Sequence, residues 1–282
     1  MKKMTLCAAL AVGIAASTGS AQSVQELLGI NIPAAQDPPT PTDTGHASAE
    51  ESPFYFAWTV TPVIAGTINT QQSETSSAGG GSTLGGGKLS FDLGVGTDIT
   101  LGWRIPDTYF FLQVSAGFTW NGVKDFSAQL DFGGLTGELF NGSGHMYQLP
   151  ILFTPGFEFE LPGGWPFMNG GLVRFGPSVG VIYQDLSVTD INRSVGGALD
   201  PFTYEFGSTN WLFAYGAALD LEFFLSHNIS LVLGYQFIGT TSASYGDLTA
   251  SGPGAAGQDP GDEVKTNFTY TSVIRCGLGF YF

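Results

Sequence analysis

The last sixteen residues, Asn267 to Phe282, place the tightest limit on what this chain can fold into. Taken in steps of two from the end, Phe282, Phe280, Leu278, Cys276 and Ile274 are apolar, and the residues between them, Tyr281, Gly279, Gly277 and Arg275, are aromatic, small or charged. Successive side chains of a strand point to opposite faces, so this alternation predicts a strand with one face in an apolar medium and the other in a polar one. In a soluble sandwich the apolar face would turn inward, and nothing would require the chain to stop on an aromatic. Here the row of aromatics and the chain end together.

The other end of the sequence predicts export. Lys2 and Lys3 precede an apolar run from Met4 to Ala16, followed by small residues through Ala21, which reads as a signal peptide over residues 1–21. That run is too short to cross a bilayer as a helix, and no later stretch approaches eighteen consecutive apolar residues. Once residues 1–21 are removed, Cys276 is the only cysteine, which rules out an internal disulfide, and seven Lys/Arg stand against 24 Asp/Glu. A chain this acidic argues against nucleic acid, whose phosphates require a basic surface. With 13% aromatic residues, 41 glycines and only 12% charged residues, the composition departs from that of soluble domains and suits a barrel with lipid on one side.

Residues 22–52 read as a flexible periplasmic segment: one or two helical turns around Val24 to Leu28, then a Pro- and Thr-rich stretch from Pro33 to Glu51. From Phe54 onward strand-like runs repeat near 54–68, 88–104, 108–121, 145–161, 171–187, 210–225, 228–243 and 267–282. Three connections are short, at Ile105 to Asp107, Leu161 to Gly170 and Ser226 to Asn228. Four are long and rich in Gly, Ser, Thr and Asp, at Asn69 to Gly87, Gly122 to Gly144, Val188 to Thr209 and Ser244 to Thr266. Strict alternation of short and long connections predicts an all-β protein over residues 53–282: a closed antiparallel up-and-down transmembrane barrel with short periplasmic turns and long extracellular loops. Eight strands put both ends in the periplasm. Phe126 to Phe140 carries its own alternation and extends strands three and four above the membrane, with ten strands as the alternative count.

The region from Phe54 to Phe282, with its terminal Phe280-Tyr281-Phe282 and runs such as Asn228 to Tyr235, resembles the small eight-stranded outer-membrane barrels of the opacity/adhesin, OmpA-transmembrane-domain-like and porin-like group. The resemblance implies residence in the outer membrane of a Gram-negative envelope, amid lipid and lipopolysaccharide. It also implies that Ile274, Cys276, Leu278, Phe280 and Phe282 form a C-terminal signal read by the barrel assembly machinery.

The two-residue period assigns faces. Strand two sends Leu89, Phe91, Leu93, Val95, Ile99, Leu101 and Trp103 to lipid, and Asp92, Asp98 and Arg104 inward. Strand four turns Gln148, Thr154, Glu158 and Glu160 inward, strand five Arg174 and Gln184, strand six Asp220 and Glu222, and strand eight Arg275. Charges enclosed by eight strands must pair, because an isolated buried charge is costly. We therefore expect a lumen network of Arg104, Arg174 and Arg275 with Glu158, Glu160, Asp220 and Glu222; a water-filled bore is the alternative. Trp103, Tyr109, Trp165 and Phe282 mark one membrane boundary and Trp120 and Trp211 the other, while Trp58 fits neither.

No catalytic group is expected. Of the histidines, His46 is in the N-terminal segment and His227 in a periplasmic turn; His145, beside Ser143, is the one candidate for a lipid-modifying enzyme. The glycines at 79–81 and 85–87 lack the Lys-Ser/Thr of a phosphate loop, and Asp259, Asp262 and Glu263 lack the spacing of a calcium loop. No cofactor or metal is implied. The sequence predicts a non-enzymatic barrel with a largely filled lumen and a structural or adhesin-like surface role, with a narrow porin as the alternative and a lipid-modifying enzyme third.

Overall fold

The computed structural model describes residues 53–75, 82–132, 134–161, 170–255 and 260–282. The expected signal peptide at 1–21, the segment 22–52, and Trp165 fall outside them.

The described residues form strands throughout: β1 (Phe54–Ala65), β2 (Ile68–Asn69), β3 (Ser73–Thr75), β4 (Ser82–Leu84), β5 (Lys88–Phe91), β6 (Gly94–Arg104), β7 (Phe110–Phe132), β8 (Leu135–Leu161), β9 (Gly171–Val195), β10 (Ala198–Leu199), β11 (Thr203–Phe224), β12 (Ile229–Thr240), β13 (Ala243–Asp247), β14 (Thr249–Ser251), β15 (Glu263–Thr266) and β16 (Thr269–Tyr281). Eight of them close a ring. Each of β1, β6, β7, β8, β9, β11, β12 and β16 pairs antiparallel with the next, and β16 returns to β1 with Tyr55 opposite Tyr281 and Val63 opposite Val273. Closure leaves the ring without an unpaired edge, which a sheet must achieve to sit in hydrocarbon.

The wall has two heights. β1, β6, β12 and β16 run 11–13 residues, whereas β7, β8, β9 and β11 run 22–27. About 9–11 tilted residues cross the hydrocarbon layer, so the four long strands carry half of the wall well beyond it. Phe126 to Phe140, read from sequence as an extension of strands three and four, falls in β7 and β8, and the stretch from Val188 to Thr209, read as a long loop, is largely strand as well.

Along these strands the polarity of the two faces inverts. In the lower part, Leu149, Ile151, Phe153 and Phe157 of β8, Phe175, Val179 and Val181 of β9, and Phe213, Tyr215 and Leu219 of β11 face outward and exposed, while Thr154, Ser178 and Asp220 are buried inside. Higher up, Leu139, Leu186, Val188, Tyr204 and Phe206 are buried, and Glu138, Asp185, Ser187 and Glu205 lie on the other face. The first pattern is that of a wall bathed in lipid, the second that of a water-soluble barrel. The crossover lies at Trp120, Tyr147, Tyr183 and Trp211, outward rings with one polar edge, which form a girdle on the extracellular side. Phe54, Trp103, Tyr109, Phe157 and Phe159 form the opposite girdle, with Trp103 stacked on Phe54 and Phe159 on Tyr109. Trp58 lies between the two; its indole N–H finds a partner in the cross-strand Thr97 hydroxyl at 2.9 Å, which lets an indole sit at mid-membrane depth.

On β9 and β11 the inversion keeps the parity: even-numbered residues point in both at Ser178 and Asp220 and at Leu186, Val188, Tyr204 and Phe206, and only their chemistry changes. Beyond the girdle, at bulges where Asn141 and Asp190 take left-handed backbone angles, φ 64° and 56°, the inward set of β8 and β9 changes between even and odd residues. Below Asn141 the inward residues of β8 are even-numbered, and above it Gly137 and Leu139 point in. A similar break at Asp92 and Leu93 corrects part of the sequence reading. Expected on one continuous strand facing lipid, Leu89 instead lies fully buried in the extracellular core and Phe91 packs against that core. Asp92, expected inside, is exposed.

Candidate functional site

The barrel interior holds the charged residues that the sequence singles out, in layers. At the periplasmic end, three long side chains fill the lumen beside residues that have none. Gly102 is one of these, since a Cβ there would lie 2.0 Å from the Tyr55 ring. The Tyr55 ring occupies that space and donates its hydroxyl to Gln113 Oε1 at 2.8 Å. Over the same ring lies the guanidinium of Arg174, its Cζ 3.8 Å from the centroid, a close cation–π stack out of contact with water.

Arg174 reaches two carboxylates. Its Nε pairs with Glu158 Oε2 and its Nη1 with Glu222 Oε1, and its Nη2 donates to the Tyr281 hydroxyl at 3.0 Å. Tyr281 donates in turn to Glu222 Oε2, which also accepts from Ser230 Oγ at 3.0 Å. Glu158 is shared with Arg104, whose Nε lies 2.5 Å from Oε1. A second centre stands one layer higher. Arg275 Nη2 meets Asp98 Oδ1 at 2.9 Å and the Thr100 hydroxyl at 2.5 Å, and Nη1 meets Asp220 Oδ2 at 3.1 Å. Arg174 and Arg275 are each 1% exposed, and both guanidiniums have planar, multidentate partners, the geometry that offsets the loss of hydration.

Six of the seven residues expected in the lumen network are thus brought together, as two centres. The seventh, Glu160, is 63% exposed and 4.0 Å from Arg104; it stands opposite Leu172 at the open periplasmic end of β8, where solvent reaches it. Sequence reasoning placed Asp98 on the inner face without joining it to Arg275, and it missed Tyr55 and Tyr281. Inward parity on the first and last strands was the available signal for both tyrosines.

Above the charges the lumen turns apolar. Val63, Leu152, Ile182, Ala214, Ile238 and Val273, from six of the eight wall strands, form a buried cluster. Asn121 joins it from β7, its amide directed to the Val63 carbonyl at 3.5 Å. Next come Gln148 and Gln184, bonded at 3.3 Å, with Gln184 donating to the Tyr245 hydroxyl at 2.7 Å. The extracellular half is filled by a larger core containing Leu84, Leu89, Phe126, Leu130, Leu186, Tyr204, Tyr245, Leu248 and Val264. Burial raises the Tyr245 hydroxyl well above its usual value of 10.0, with hydrogen bonds from Thr266 and Gln184 opposing the shift only in part. At the surface, Glu263 is held below the usual carboxylate value by hydrogen bonds from Lys265 and Ser244.

The candidate for chemistry does not assemble as a relay. Ser143 donates directly to Asp190 Oδ2 at 2.8 Å, a bond that staples the two bulges, while His145 packs on Tyr147 with ring centroids 4.6 Å apart. A nucleophile needs its base between hydroxyl and acid, and here no imidazole stands there. Among the described residues, no group of three or more His, Cys, Asp or Glu is gathered for a metal ion. The outward residues Ile274, Cys276, Leu278 and Phe282 of the terminal strand are exposed and Phe280 is half-buried.

Closed pairing, an outward apolar belt and a packed interior define the class: an eight-stranded transmembrane β-barrel with an elevated extracellular half. No family model matches the chain, and no curated protein does. Among solved structures it is similar to the outer membrane protein OprG of Pseudomonas aeruginosa, at 15% identity over 81% of this chain and 95% of that one with a TM-score of 0.41. It is similar also to Neisserial surface protein A, at 13% identity over 82% and 98% with a TM-score of 0.37. A third is the outer membrane protease OmpT of Escherichia coli, at 11% identity over 81% and 96% with a TM-score of 0.34.

Proposed function

We propose that this protein is a non-enzymatic outer-membrane barrel with a closed lumen, serving the envelope structurally or through its extracellular surface. The observation that carries the proposal is the stacking of two unlike seals. The paired arginine centres occupy the lower lumen and the cluster around Val63, Leu152 and Ile238 lies directly above them, so a solute would have to break ion pairs and then cross a dry layer. The Ser143–Asp190 bond, with His145 outside it, supports the non-enzymatic part. The elevated wall of β7, β8, β9 and β11, polar outside and packed inside, supports a surface role, since it presents a rigid platform above the lipid headgroups.

In this reading the outward belt contacts membrane lipid and, at the upper girdle, lipopolysaccharide. The face of β16 carrying Ile274, Cys276, Leu278, Phe280 and Phe282 is the element that the barrel assembly machinery binds. Liposome swelling tests the closed lumen: vesicles containing the refolded mature chain should swell in small neutral sugars no faster than empty ones, and solute-dependent swelling would favour the narrow porin.

A further inference from the structure

The interior contains polar atoms that the ion pairs leave without partners, and they lie together. Arg275 Nε, Gln236 Nε2, Thr59 Oγ1 and Thr61 Oγ1 are buried and unbonded to any protein group. All four belong to inward residues on adjacent strands. Arg275 of β16 stands opposite Gly234 of β12, with Gln236 the next inward residue of that strand; on the other side Thr59 of β1 stands opposite Gly277 of β16, and Thr61 opposite Gly96 of β6. The patch adjoins both the Arg275 centre, where Thr59 stands opposite Asp98, and the apolar cluster, where Gln236 stands opposite Val273. Its neighbour across from Gln236 on β11 is the small Ala218.

Each such group, left alone away from water, costs about 1–3 kcal/mol, and native interiors supply a partner nearly everywhere. The chemistry of the four atoms selects that partner. The Arg275 and Gln236 nitrogens are donors only, which excludes a cation. An anion is opposed because Asp98 and Asp220 already outnumber the one positive charge of Arg275 at this level. What remains is a small neutral molecule that accepts from nitrogen and exchanges hydrogen bonds with hydroxyls. We infer that the barrel encloses an ordered water site bounded by Arg275, Gln236, Thr59 and Thr61, isolated from the extracellular side by the apolar cluster. The inference rests on the closed-lumen reading and locates a wet compartment inside it.

The experiment uses the full mature chain, deuterated and refolded in lipid nanodiscs, and reads magnetisation transfer from water to side-chain amide protons by NMR. Gln236 should show a direct water contact that is lost in a Thr59→Val, Thr61→Val double variant. Gln148, bonded to Gln184 and Thr119 above the apolar cluster, should show none. No water contact at either glutamine would overturn the water site and leave the closed lumen standing. Contacts at both would overturn the closed lumen itself.

Discussion

The guanidinium carbon of Arg174 lies 3.8 Å from the centre of the Tyr55 ring, in a layer where Tyr281, Glu158 and Glu222 take up its N–H groups. One cation therefore satisfies two carboxylates and stacks on an aromatic ring. Arg174→Ala would leave Glu222 buried without a cation and Glu158 with Arg104 alone, and removal of one partner from a buried pair costs about 3–5 kcal/mol. Urea unfolding in detergent should show a loss of that order, and a much smaller one for Arg104→Ala, whose side chain reaches solvent.

Tyr55 can be separated from the charges. Tyr55→Leu keeps an apolar side chain but removes the ring and its stack, together with the hydroxyl bond to Gln113, and a desolvated cation–π contact contributes about 2 kcal/mol. Unfolding of Tyr55→Leu should shift by at least that amount, and Tyr55→Phe, which retains the ring, by less. Gly102→Ala should destabilise by steric conflict with the same ring. The Tyr55→Leu background should relieve part of that conflict; additive losses in the double variant would contradict it.

The ion network was legible in the sequence because charges are scarce and the strand period assigns each one a face. Arg174, Glu158 and Glu222 have inward parity on β9, β8 and β11, and once enclosed they had few partners but one another. What the sequence hid depends on parity breaks. Leu89 and Phe91 continue the outward row that ends at Trp103 only if no bulge intervenes, and the break at Asp92 and Leu93 reverses them. The alternation of Phe126 to Phe140 was legible as an extension of strands three and four, whereas the polar stretch from Val188 to Thr209 looked like a loop because loops are polar. Its alternation was present but inverted, with Tyr204 and Phe206 inside and Glu205 and Gly207 outside. Hydroxyl partners such as Tyr281 and Thr100 carry no charge to flag them.

Cys276 projects from the outward face of β16, exposed at the level of the belt. In vesicles, a charged water-soluble maleimide should leave it unmodified and an apolar maleimide should label it. Fast labelling by the charged reagent would place this face in water and contradict the lipid-facing assignment.

Alkaline pH should loosen the extracellular half around Tyr245. The folded state holds the Tyr245 hydroxyl protonated above its usual value of 10.0, so its contribution is fully present below about that pH and is lost as the pH rises toward the higher folded value. Amide exchange in β13 and β15, compared above and below pH 10 after correction for intrinsic rates, should show falling protection, and Tyr245→Phe should reduce the pH dependence.

Two seals in series make a prediction that one seal would not. In planar bilayers the refolded mature chain should give no steady conductance, and neither should Arg174→Ala, because the layer of Val63, Leu152, Ile182, Ala214, Ile238 and Val273 still closes the lumen. Arg174→Ala combined with Leu152→Ser and Ile238→Ser should stay closed as well, because the Arg275 centre and the extracellular core around Phe126, Leu186 and Tyr245 remain. Steady conductance from the unaltered chain would contradict the closed lumen and make this protein a narrow pore.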